Sequence, residues 1–117
     1  MDYLKFINFL KNDFENSNQK YKSVKFFRSK NLLLIMLWFN TLQSYYANKD
    51  YSIEDFIDDV PKHLGSRPTI FKCVNLAVKN KFLHKIYSSK DKRKYNLKPT
   101  DLTIKEFQNW ALGFSGF

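Results

Sequence analysis

One stretch of the chain, residues 66–100, constrains the fold most, because a helical periodicity and a strand periodicity follow each other within it. Over residues 66–80, apolar side chains recur at three- and four-residue steps, which predicts a helix with one buried face. Residues 82–88 and 93–97 then alternate between apolar and polar side chains on either side of a short polar segment. This alternation predicts two strands joined as a hairpin.

The same part of the chain carries all of the net positive charge. Residues 62–98 contain eleven Lys or Arg residues and one Asp, whereas the whole chain of 117 residues has a net charge of +9. The remainder therefore has a net charge of −1. Charge concentrated in this way indicates a polyanionic partner, since solubility alone would not require it to be local.

The predicted helix sorts its side chains onto two faces. Five apolar side chains fall within one arc of about 140° and are expected to be buried. They are Ile70, Cys73, Val74, Ala77 and Val78. The opposite face is polar and basic, with no acidic residue, and consists of Pro68, Lys72, Asn75 and Lys79. Cys73 is accordingly predicted to be a core thiol.

The remaining segments are predicted to be mainly helical. Residues 2–16 form an amphipathic helix whose wide apolar arc suggests burial against a second subunit. Residues 17–30 are a polar, basic connector that could touch a polyanion or simply be solvated. A helix follows that is capped by Ser29 or Asn31 and ends near Ala47. Because it is apolar on every side over residues 32–39, it is expected to be buried centrally.

Local capping signals place the boundaries of the later helices. Ser52 and Asp55 form a variant capping box that opens a helix, which ends before Pro61 and follows a short strand at residues 50–51. Ser66 is predicted to cap the next helix. The last helix begins at Thr100 or Thr103, and Thr103 with Glu106 would form a second capping box.

Composition bounds the class of protein. A hydrophobic content of 44% excludes a disordered chain, and only three glycines favour helices over a turn-rich all-β fold. The longest apolar run covers eight residues, whereas a bilayer span needs about 20. With no signal peptide and one cysteine, which excludes an internal disulfide, we expect a cytoplasmic protein without membrane contact.

The sequence gives no indication of catalysis. No nucleophile–base pair, glycine-rich phosphate loop or catalytic carboxylate pair stands out, so an enzyme is not expected. His63 and His84 are not accompanied by other ligands at metal-binding spacing, so neither a metal nor a cofactor is predicted.

The order helix–helix–strand–helix–helix–strand–strand–helix is that of a winged helix-turn-helix, mainly α with a small β-hairpin. We expect one domain, 1–117. Its parts are an N-terminal helix and connector (1–30), the winged core (31–100), and a C-terminal helix and tail (101–117). Such a domain fits double-stranded DNA, because the major groove accepts one helix and the wing can follow the backbone.

The recognition helix would be residues 66–80 and the wing residues 88–95. Lysines on both would contact phosphates, while the Asn75 amide can pair with adenine. The helix N-terminus usually meets base edges. The predicted DNA-binding residues are Ser66, Arg67, Thr69, Lys72, Asn75, Lys79, Lys90, Asp91, Lys92, Arg93 and Lys94.

The element order and the wing segment SKDKRKYNLKPT resemble the MarR-type winged-helix regulators. Asp91 and Arg93 match the Asp and Arg spacing of that family's wing, and Thr100 matches its threonine, although Pro99 stands where leucine is usual. The resemblance implies a homodimer, made by the terminal helices, that binds palindromic DNA with Arg93 in the minor groove. The family usually has a glycine at the position of Lys81, so Asn80 is expected to adopt the left-handed conformation instead. The resemblance also implies a pocket for a small-molecule effector between the all-apolar helix and the dimer interface, and nothing in the sequence specifies its ligand.

A second function from another class stays open at this point. The same fold could be a winged-helix interaction or adaptor module of a phage or mobile element. Its basic face would then bind RNA or an acidic protein. Binding to random duplex DNA at low salt distinguishes this alternative from a dimeric transcription regulator.

Overall fold

The computed structural model describes residues 2–16, 20–29, 31–87 and 94–114, and within them six α-helices accompany one β-hairpin. None of the helices in these ranges is long and apolar enough to cross a membrane. The elements are α1 (Tyr3–Asn16), α2 (Lys22–Phe27), α3 (Leu32–Tyr46), α4 (Ile53–Asp59), a 3-10 turn (Lys62–Leu64), α5 (Arg67–Lys79), β1 (Leu83–Tyr87), β2 (Tyr95–Pro99) and α6 (Asp101–Leu112). This is the predicted winged-helix arrangement.

The hairpin is antiparallel, with Leu83 opposite Pro99 and Tyr87 opposite Tyr95. The predicted strand at residues 50–51 is reduced to one β-bridge, between Ser52 and Asn96, beside β2. The physical reason is that Ser52 is also the N-cap of α4, so the chain turns into a helix directly after the bridge. The strand predicted at residues 50–51 is therefore not formed, and a single bridge one residue later takes its place.

The core lies where α2, α3, α4 and α5 meet the inner face of the hairpin. Its largest fully buried side chains include Trp38, Phe27 and Phe56. Helix α3 contributes to it from one side, because Leu32 and Phe39 are 57% and 49% exposed. The expectation that this helix is buried on every side is therefore wrong within the described chain.

The connector prediction for residues 17–30 also needs correction. Residues 22–27 form helix α2, and its Val24 and Phe27 side chains are completely buried. Its first turn receives a cap from a distant helix, since the Ser23 amide and hydroxyl both donate to Glu106 Oε1 of α6, at 2.9 and 2.5 Å. The predicted capping box between Thr103 and Glu106 is therefore wrong, and α6 begins after Thr100 instead.

The other caps follow the sequence more closely. Ser52 and Asp55 form both hydrogen bonds of the capping box, and Asn31 caps α3 by accepting from the Leu33 amide at 2.9 Å. Ser66 occupies the N-cap position of α5, but its hydroxyl pairs with the Thr69 hydroxyl and caps no backbone amide.

The turn between α5 and β1 differs from the prediction in one residue. Asn80 remains right-handed with φ of −82°, whereas Lys81 has φ of +65°. Asn80 is the C-cap residue of α5, and both its backbone N–H and its side-chain amide donate to the Leu76 carbonyl, the latter at 2.8 Å. The left-handed residue is therefore the one that stands in the family's glycine position.

Helix α1 is attached to the body at its C-terminal half. The Asp13 carboxylate, 5% exposed, forms an ion pair with Arg28 and accepts from the Trp110 indole N–H at 3.1 Å. The Phe9 ring meets the Phe114 ring edge-on at 4.8 Å. These contacts join α1 to the end of α2 and to α6, and they leave the N-terminal half of α1 exposed.

Candidate nucleic-acid interface

Helix α5 presents the predicted polar face to solvent because its apolar face is anchored in the core. Ile70, Val74 and Ala77 are at most 3% exposed, Cys73 is 7% exposed, and Val78 is half-buried. Lys72, Asn75 and Lys79 are consequently exposed along the opposite side. The helical phase predicted from the sequence is confirmed.

The N-terminus of α5 is held by a polar contact with α4. Arg67 donates to both carboxylate oxygens of Glu54, at 2.6 and 3.3 Å, and its guanidinium lies 5.4 Å from the Phe71 ring centre. The hydrogen bonds and charge of Glu54 raise the pKa of Arg67 above its ordinary value. Together with Ser66 and Thr69, which are exposed beside it, Arg67 forms a fixed polar edge at the start of the helix.

The tip of the hairpin lies mostly outside the described residues. Lys90, Asp91, Lys92 and Arg93 fall within the segment 88–93, so their predicted DNA contacts stay predictions. Lys94 is described and exposed. The paired strands end at Tyr87 and Tyr95, whose rings lie 5.5 Å apart.

A further residue of this surface, Lys85, is not among the residues predicted from the sequence. Its Nζ donates to Asn75 Oδ1 at 2.6 Å and lies 4.8 Å from the centre of the Tyr95 ring. The signal was present in the strand periodicity, since Lys85 shares the face of Leu83, which is buried against the body. A lysine that faces inward on the strand following a helix can reach that helix.

Leu76 also lies on the exposed side of α5, and 47% of its surface is accessible. Nothing in the sequence explained it. It follows Lys72 by four residues, so it lies on the basic face, where it adds one apolar side chain.

Cys73 and the histidines show no sign of a metal or redox site. Burial raises the pKa of the Cys73 thiol, and the Asn31 amide nitrogen lies 3.6 Å from its sulfur. His63 and His84 are exposed. Among the described residues, no group of three or more His, Cys, Asp or Glu side chains could hold a metal ion.

Among the described residues, two of the cavities lie away from the basic face of α5. One, of about 320 Å³, lies between the end of α3 and the outer face of the hairpin, and its lining includes Tyr45, Tyr51, Asn96 and Lys98. The other, of about 430 Å³, lies between α1 and α6 and is lined by Phe9, Asn12, Asp13, Lys20, Tyr21, Asn109, Trp110 and Gly113.

The solved structures to which this fold is similar include three of the protein PefR. The heme-free form matches with a TM-score of 0.56 at 20% identity, over 97% of this chain and 94% of that chain. This chain has the PefR fold.

The heme-bound form of PefR from Streptococcus agalactiae matches with a TM-score of 0.57 at 21% identity, over 98% of this chain and 75% of that chain. The complex of PefR with heme and carbon monoxide gives 0.55 at 20% identity, with the same coverage. No protein-family model matches the sequence, and no curated protein matches it. At these identities, the comparison concerns the fold alone.

PefR is a heme sensor protein. Heme iron is held by His, Cys, Met or Tyr side chains. Neither cavity is lined by a His, Cys or Met. In the first, Tyr51 donates to Asp59 at 2.8 Å, and its pKa is raised by burial and then by this hydrogen bond, which disfavours a phenolate ligand. These two cavities therefore offer no His, Cys or Met to heme iron, and Tyr51 is disfavoured as a ligand.

Proposed function

We propose that this protein binds double-stranded DNA in a sequence-specific manner and regulates transcription, with α5 as the recognition helix and the hairpin as the wing. The observation that carries the proposal is the division of α5 into a core-anchored apolar face and an exposed, acid-free face with Lys72 and Lys79. A helix of this kind fits the major groove and neutralises phosphates along it.

The lysines set affinity in this proposal. Lys72, Lys79 and Lys94 contact phosphates, and Lys90 and Lys92 extend the same contacts along the wing. Arg93 enters the adjacent minor groove, where the negative potential attracts a guanidinium, and Asp91 orders the wing. Binding then weakens steeply with salt, by a log–log slope of about −0.9 for each phosphate neutralised.

The start of α5 contributes sequence discrimination. Arg67 has its guanidinium oriented by Glu54 and Phe71, which reduces the conformational entropy lost on contacting a base. Ser66 and Thr69 offer hydroxyls beside it. Leu76 offers an apolar contact for a thymine methyl group.

The protein acts as a homodimer in this proposal, with the second copy covering α1 and α6. Tyr3, Leu4 and Ile7 on α1 are between 57% and 70% exposed, and Leu112 at the end of α6 is 67% exposed. Tyr3, Leu4 and Ile7 are therefore open to solvent within the described chain. A second copy buries them, and its two-fold symmetry matches a palindromic site.

A dimer test uses Ile7→Lys, with Lys11→Gln as a control on the same helix. Light scattering at micromolar concentration is expected to give a dimer for the wild type and the control, and a monomer for Ile7→Lys. A wild-type monomer at that concentration would contradict the proposed interface.

The DNA-binding proposal is tested by a gel shift with random duplex DNA at low salt. A shift that disappears as salt rises supports it. An absent shift, or binding to RNA alone, would instead favour the adaptor module.

A further inference from the structure

Lys85 is built into the junction between the recognition helix and the hairpin. Its strand position pairs with Leu97, and Leu97 is buried, so the Lys85 stem follows the inner face of the hairpin. The ammonium emerges at α5, where Asn75 Oδ1 lies 2.6 Å away, while the Tyr95 ring lies 4.8 Å away. Three elements thus fix the position of this charge.

The chemistry of the contact fixes the orientation of the Asn75 amide. A lysine ammonium can only donate hydrogen bonds, so the amide atom facing it must be the oxygen. The Asn75 nitrogen, with two N–H donors, is turned away from Lys85. No described residue accepts from it, and Asn75 is exposed.

The side of the Lys85–Asn75 pair that faces solvent therefore presents hydrogen-bond donors. Adenine offers one acceptor, N7, and one donor, the N6 amino group, in the major groove. That amino group would compete with a charged donor for Asn75 Oδ1 and would meet the Lys85 ammonium, which is also a donor. Guanine offers two acceptors, N7 and O6, which match the Asn75 N–H group and the remaining Lys85 N–H groups.

We infer that Lys85 is a specificity-determining residue, which converts Asn75 from an adenine contact into part of a two-donor site for guanine. The inference rests on the proposed DNA-binding function and deepens it. It also replaces the sequence-based expectation that Asn75 alone pairs with adenine.

The test is selection of bound duplexes from a random pool with four proteins: the wild type, Lys85→Met, Lys85→Arg and Asn75→Ala. Methionine keeps an unbranched, largely apolar side chain on the inner face and removes the donors, whereas arginine keeps them. Circular dichroism and thermal unfolding establish that each variant is folded.

The wild type and Lys85→Arg are expected to select guanine at one position of each half-site. Asn75→Ala should lose the preference at that position alone, which identifies it. Lys85→Met should select adenine there, because the freed amide then pairs bidentately. The change in preference is expected to be roughly five- to 150-fold, as for one good bidentate base contact.

The outcomes separate the two proposals. Enrichment of a wild-type site with adenine at the Asn75-dependent position overturns this inference and leaves DNA binding intact. The same holds if Lys85→Met keeps guanine, or if Asn75→Ala loses no preference. A wild type that enriches no sequence overturns the proposed function, and this inference with it.

Discussion

The cap that α6 provides to α2 can be broken by one substitution, Glu106→Ala. The Ser23 amide and hydroxyl both donate to Glu106 Oε1, at 2.9 and 2.5 Å, and the Ser23 side chain is completely buried. Tyr21, the residue at the N-cap position of α2, makes no side-chain cap of its own. Removing the carboxylate therefore leaves two donors without an acceptor at the start of a six-residue helix.

The destabilisation expected for Glu106→Ala follows from the loss of these two hydrogen bonds. An unsatisfied buried donor costs about 1–3 kcal/mol, and loss of an N-terminal cap costs about 0.5–2 kcal/mol. Because both bonds end on one oxygen and water can partly replace it, we expect Glu106→Ala to lower the free energy of unfolding by about 2–4 kcal/mol. For a chain of this size the midpoint of thermal unfolding should fall by about 8–16 °C.

Urea unfolding followed by circular dichroism measures the effect, with two comparison variants. Glu106→Gln keeps an oxygen acceptor but loses its charge, so it should cost about 1 kcal/mol. Lys105→Ala changes an exposed neighbour on the same helix and should stay within about 0.5 kcal/mol of the wild type. In a double-mutant cycle, Ser23→Ala should reduce the cost of Glu106→Ala by about 1 kcal/mol.

The reasoning would be refuted if Glu106→Ala were no more destabilising than Lys105→Ala. The same conclusion would hold if the effects of the Ser23 and Glu106 substitutions on the free energy of unfolding were additive. Either result would mean that the α2–α6 contact is not a cap and that α2 is stabilised by its buried side chains alone.

Two further predictions concern buried polar groups. Asp13→Ala should lower the free energy of unfolding by about 3 kcal/mol, because it leaves the partly buried Arg28 charge and the Trp110 N–H without this acceptor; denaturant titration measures it. Burial, and then the hydrogen bond to Asp59, raise the pKa of Tyr51 in the folded protein. Below about pH 10 this tyrosine is protonated in both the folded and the unfolded chain, so its contribution to stability is fully present there. That contribution is lost as pH rises above about 10, because the unfolded chain ionises first. The free energy of unfolding of Tyr51→Phe should therefore decline less steeply at alkaline pH than that of the wild type. An identical decline for the two proteins would contradict the assignment.

The sequence was sufficient where one pattern determines burial over a whole element. Helix α5 and the hairpin were predicted because a short-range periodicity marks the apolar face of each, and Val74, Leu83 and Leu97 on those faces are buried. The capping box at Ser52 was predicted because both of its hydrogen bonds are local.

The sequence was insufficient where stability comes from residues far apart in the chain. Helix α2 is too short for a periodicity to be recognised, and its cap comes from Glu106, 83 residues beyond Ser23. Similarly, α3 looked buried on every side because its composition cannot show which side lacks a neighbour. The Lys85–Asn75 contact required the angle between helix and strand, which no local pattern contains.

The central claim is that the exposed face of α5 contacts DNA phosphates, and the salt dependence of binding tests it most directly. Fluorescence anisotropy with a labelled duplex gives the log–log slope for the wild type, for Lys72→Gln with Lys79→Gln, and for the control Lys105→Gln. The account predicts that the double variant reduces the steepness of the slope by about 1.8, which is about 0.9 for each lost phosphate contact, whereas the control leaves it unchanged. Equal slopes for all three proteins would contradict the account.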